Sequence, residues 1–122
     1  MNQAETHFKN LENKRASLVE VRLPRVITKI KQQMDIALSE DYDGLNIKIP
    51  YRTTRNTIEC SEKLVNQIAE EFTGYFEEEG YRIVFIGPQD RPRHGTLQIF
   101  LYWNNHYWPE TYVCDINIGE QI

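Results

Sequence analysis

Cysteine is scarce: Cys60 and Cys114 are the only two in 122 residues. Two thiols in a chain of this length make no disulfide framework. Both are read as reduced and partly buried, Cys60 at a helix start and Cys114 in a strand. No apolar run approaches the ~20 residues that a bilayer-spanning helix needs. The first ten residues, MNQAETHFKN, lack the apolar centre of a secretory signal. These absences point to the cytoplasm and to no membrane partner. Histidine is scarce too: His7, His94 and His106 are scattered, without the paired spacing of a zinc site. His106 with Cys114 and Asp115 falls short of the four ligands that close a structural metal site. Neither a glycine-rich phosphate loop nor a Gly-x-Ser-x-Gly elbow occurs. The sequence therefore predicts no metal and no cofactor.

What is present suits one globular domain. A chain of this length removes roughly two-thirds of its unfolded surface from water, enough for a core without staples. Apolar residues make up 40% and charged residues 26%, ordinary globular usage. The net charge of −4 conceals an asymmetry: residues 1–35 carry +3 and residues 36–122 carry −7. A basic helical arm beside an acidic body fits an anionic partner, the body of a second copy, or a solvated face.

Hydrophobic spacing gives the elements. Ala4 to Arg22 reads as a helix with a thin stripe, Phe8, Leu11, Leu18, Val19 and Val21, which needs a partner to be stable. Pro24 is expected to interrupt it and open a second helix carrying Val26, Ile27, Ile30, Met34, Ala37 and Leu38. Leu45, Ile47 and Ile49 alternate with Asn46 and Lys48 in a half-buried strand that Pro50 either stops or places at an edge. Ser61 to Glu79 is the clearest helix: Leu64, Val65, Ile68, Ala69, Phe72, Tyr75 and Phe76 make one broad face, and Gly80 suits its left-handed cap. Tyr81 to Gly87 is apolar on both faces and reads as a central strand. Pro88 to Gly95 reads as a long loop, Thr96 to Trp103 as the next strand, and Thr111 to Gly119 as the last.

The expected fold is α+β: an N-terminal helical pair, then a small antiparallel-rich sheet of three to four strands with one amphipathic helix, about 61–79, packed on it. Residues 1–122 form a single domain, with 1–40 a helical arm or hairpin and 41–122 the α+β body.

Three groups of residues are candidate sites. Phe8, Leu11 and Leu18 are the oligomer-interface candidates. Arg52 and Arg55 lie on one expected loop, residues 51–57, and Arg91, Arg93 and His94 on a second, residues 87–95; arginine forks match phosphate or carboxylate oxygens. If the two segments share one end of the sheet, they can grip a nucleotide or oligonucleotide with a ring of Tyr107 or Trp108 on the base. Solvated loop charge is the alternative. Tyr107 and Trp108 follow two turn-forming residues, Asn104 and Asn105, and either tuck beneath the sheet or anchor a partner. Two weaker readings are acid–base catalysis by His94 with Asp90 on a phosphorylated substrate, and duplex binding by Lys14, Arg15, Arg22, Arg25, Lys29 and Lys31. Interspersed Glu5, Glu12 and Glu20 oppose the second.

The run from Glu62 to Gly87 followed by Gly95 to Trp103 resembles the small α+β accessory proteins of tailed bacteriophages. The matching parts are Leu64 to Phe76, Gly80–Tyr81, and Leu97 to Trp103, about a third of the chain. The resemblance carries no site residues. It implies a small protein of the infected host's cytoplasm, commonly without catalysis, that binds a macromolecule or a nucleotide signal. The leading expectation is a non-catalytic, homo-oligomeric binding protein acting through protein–protein contacts. A nucleotide or oligonucleotide binder is the alternative, and an enzyme the least favoured.

Overall fold

The computed structural model describes residues 2–52, 61–91 and 94–118, apart from the side chains of Arg52, of 87–91 and of His94. Its elements, in order, are α1 (Gln3–Ser39), β1 (Gly44–Arg52), α2 (Glu62–Glu78), β2 (Arg82–Arg91), β3 (His94–Tyr102) and β4 (Thr111–Asp115). The α+β class is as expected. Two helices pack on one another and on one face of a single sheet ordered β2-β3-β1-β4. The β2/β3 and β3/β1 pairs are antiparallel and β1/β4 is parallel.

The helix ends follow from local chemistry. The Asn2 side chain caps α1 by accepting from the Glu5 N–H at 2.8 Å, and Ser61 caps α2 by accepting from Leu64 at 3.2 Å. At the far end of α2, Gly80 takes φ 96°. The Tyr81 N–H then reaches the Phe76 carbonyl and the Gly80 N–H that of Glu77, both at 3.0 Å. The Phe76 and Tyr81 rings meet edge to face at 5.6 Å, completing a left-handed cap with its apolar contact. α1 ends in the same way, with Asp41 at φ 64° in place of glycine.

Pro24 does not divide the N-terminal region. α1 runs through it as one helix of 37 residues, about 55 Å long. Proline removes one backbone donor. Val19, Val26, Ile30, Met34 and Ala37 bury a continuous stripe that spans it, and tertiary packing of that stripe outweighs the lost bond.

The core lies between helices and sheet. Leu45, Ile47 and Ile49 of β1 face Leu101, Ile99 and Leu97 of β3 across the register, all buried, under Leu64, Ile68, Phe72 and Phe76 of α2. A second difference concerns β2. Its apolar run predicted a central strand, yet it forms the sheet edge and leaves Val84, Phe85 and Ile86 exposed. A register shift between Ile86 and Gln89 bends it near Pro88, which an edge tolerates. Beyond that bulge, Gln89 to Arg91 pair with Thr96 to His94. Much of the expected Pro88–Gly95 loop is thus ladder.

Candidate functional site

The loop from Trp103 to Glu110 is built around one residue of the connection between α1 and β1. β3 ends beside the start of β1, and β4 begins on the other side of β1: Gly44 pairs with both Tyr102 and Thr111. The connecting chain must therefore pass over the beginning of β1, where Asp43 stands. Asp43 is buried and spends its carboxylate on that chain. It accepts from the Glu110 N–H at 2.8 Å, from Asn104 Nδ2 at 2.6 Å and from His106 Nδ1 at 2.8 Å. Its own N–H donates to the Glu110 carbonyl and its carbonyl accepts from Trp103, at 2.8 and 3.2 Å. The Trp103 indole donates to the Tyr42 carbonyl at 3.0 Å. The backbone bond from Glu110, then the Asn104 amide, hold the Asp43 carboxyl below its ordinary value of 3.8; nearby His106 adds to this and partial burial opposes it. Gly44 completes the crossing: a Cβ there would collide with the Leu101 carbonyl oxygen.

This clamp presents two rings to solvent. Tyr107 is 86% exposed and Trp108 82%, packed edge to face on each other at 5.0 Å. Rings held by a fixed backbone lose little entropy on binding, the property of contact anchors. Of the two alternatives left open by the sequence, tucking beneath the sheet does not occur.

The described arginine positions, Arg52 and Arg91, lie at the other end. Arg52 pairs with His94, and Arg91 pairs with His94, so these three backbone positions sit side by side. Arg55 and Arg93 lie outside the described residues. β1 separates this end from Gly44 by about 27 Å. For Arg52 and Arg91 the combination with Tyr107 or Trp108 at one small ligand is therefore corrected: the strand length keeps their backbone positions apart.

A third feature is the start of α1. Residues 2–14 are exposed throughout. Phe8 is 60% and Leu11 46% exposed, three residues apart on one helical face. Leu18, expected with them, is half-buried and packs on the core. Arg22 Nη1 donates to the Ile118 carbonyl at 3.1 Å, so by that turn α1 belongs to the body.

Other groups are structural. Cys114 is buried, and burial with the charge of Asp115 pushes its thiol up to about 12, which makes it inert. Cys60 lies outside the described residues. Among the described residues no group of three His, Cys, Asp or Glu is placed to hold a metal ion, and no helix is long and apolar enough to cross a membrane. A groove of about 540 Å³ between α1 and the end of α2 is crossed by the Lys31 Nζ to Tyr75 hydroxyl bond at 2.7 Å.

Asp43 was missed by the sequence reading. No local signal distinguishes a turn carboxylate from one that anchors a loop 60 residues on. Fold and site together describe a small α+β protein with a free helical arm and a clamped aromatic loop. No family model, no curated protein and no solved structure matches the chain.

Proposed function

We propose that this is a non-catalytic accessory protein, of the kind tailed phages encode, that self-associates through its N-terminal arm and binds a protein partner through its aromatic loop. The observation that carries this reading is the arm. Its first three turns are helical yet exposed throughout, and a helix of a dozen residues is marginal alone in water. Phe8 and Leu11 give it an apolar edge that a second helix would cover. Replacing both by Asp is expected to convert an oligomer to a monomer in native mass spectrometry, with the melting temperature of the body unchanged. An unchanged mass contradicts the assignment. The loop is tested separately. The double substitution Tyr107→Ser with Trp108→Ser should keep the melting temperature and lose the proteins that the wild type captures from cells making it. Capture of the same proteins by both forms counts against a contact role.

The register supports a second reading. Arg52, Arg91 and His94 lie at one end of the sheet, where the neighbouring Arg55 and Arg93 extend the positive charge along the sequence. In this reading that end takes the phosphates of a nucleotide. Arg91→Ala with Arg93→Ala should then abolish binding of a labelled nucleotide at nearly constant melting temperature. A large loss of stability would indicate structural ion pairs instead.

A further inference from the structure

Both helices lie on one face of the sheet; the other face is covered by no element among the described residues. Strand alternation puts Asn46 and Lys48 of β1, Gln98, Phe100 and Tyr102 of β3, and Arg82 and Val84 of β2 on that open face. None of these side chains is buried. Planar groups stand in a row upon it. The Arg82 guanidinium lies over the Tyr102 ring at 4.4 Å, and Tyr102 stacks parallel to Phe100, 6.0 Å apart and within 4°. Arg82 occupies one end of the row. Toward the other end, past Phe100 along β3, comes Gln98, whose Nε2 donates to Asn46 Oδ1 at 2.9 Å. That bond leaves the Asn46 amide hydrogens and the Gln98 carbonyl oxygen with capacity for a ligand. Lys48 stands directly opposite Gln98.

We infer that this face binds single-stranded nucleic acid, with a base extending the stack at Phe100, its edge on the Asn46–Gln98 amides, and phosphates on Lys48 and Arg82. Aromatic rings on an exposed sheet, flanked by amides and cations, supply the two terms that such binding needs: sequence-tolerant stacking and charge. The charge pattern favours this occupant over an apolar surface. Residues 36–122 carry −7, yet among the described side chains this face sets Lys48 and Arg82 against a single carboxylate, Asp115, opposite Lys48 in the register. The inference shares a ligand class with the second reading above but none of its residues, and the two fail separately.

The test is fluorescence anisotropy at low ionic strength with labelled uridine and thymidine tracts of about 12 nucleotides, using the full chain. Phe100→Ala is expected to weaken binding roughly tenfold or more, and Asp115→Asn to tighten it by removing the charge that repels phosphate. Trp108→Ala should leave it unchanged, and the Arg91→Ala, Arg93→Ala pair should weaken it less than Phe100→Ala does, through lost long-range attraction alone. Asp115→Asn lies on the surface and keeps the test open if Phe100→Ala fails to fold. Absence of binding to both tracts overturns the inference. So does binding that Phe100→Ala and Asp115→Asn do not move, or that is lost with Arg91 and Arg93. Uridine monophosphate that competes as strongly per molecule as the tract would overturn the claim for a strand and leave a nucleotide pocket.

Discussion

Asp43 shows how much one carboxylate organises here. It fixes both ends of an eight-residue crossing, through Asn104 near the start and Glu110 at the end. Because its folded pKa is held below 3.8, the stabilisation it gives is complete above that value. It is lost as pH falls through the lower folded value. The Glu110 amide proton resonance should therefore move toward its free position below pH 3.8, reporting the broken bond. In Asp43→Asn this step should vanish, because nothing titrates. Persistence of the step in the variant would assign the acid transition to another group. None of this was legible beforehand. The partner of the Asp43 carboxylate is a matter of where β4 lands. By contrast Gly80 was placed correctly as a left-handed cap, since that conformation needs only its own helix.

At the scale of the element, legibility followed the range of the deciding interaction. α2 was read to within a residue or so at each end, because its apolar face, its Ser61 cap and Gly80 are all local. α1 was read as two helices because Pro24 is a strong local signal that long-range packing overrides. That packing carries a cost. Proline inside a helix is worth about 3 kcal/mol against alanine, so Pro24→Ala should stabilise the protein by up to about that amount in thermal unfolding. A destabilising result would mean that the proline sets a bend on which the packing of Val26 and Ile30 depends. β2 was misplaced for a related reason. Two apolar faces usually mean a strand covered on both sides, but an edge that carries an interaction surface has the same composition. Val84 and Ile86 are exposed beside Phe100 and Arg82, so the feature that misled the reading belongs to the open face.

The whole molecule separates its surfaces. The clamped rings lie at one end of the sheet, the arginine positions at the other, the arm leaves the body along α1, and the open face lies opposite the helices. The sequence grouped the arginines with the rings; the length of β1 parts Arg52 and Arg91 from them. It also placed the arm's apolar stripe through Leu18, which the body claims. The α+β class came from periodicity alone, because burying two amphipathic helices and one sheet face leaves few arrangements. Which surface meets which partner is set by tertiary placement, and no spacing in the chain encodes it directly.

The central claim is that the arm is helical because another copy covers it. Amide hydrogen exchange of residues 4–14, followed as protein concentration is lowered, measures helix and association at the same positions. The account predicts protection at high concentration that falls, for this segment alone, as the oligomer dissociates. Exchange at the unprotected rate at every concentration would contradict it, as would protection that is independent of concentration in a monomer.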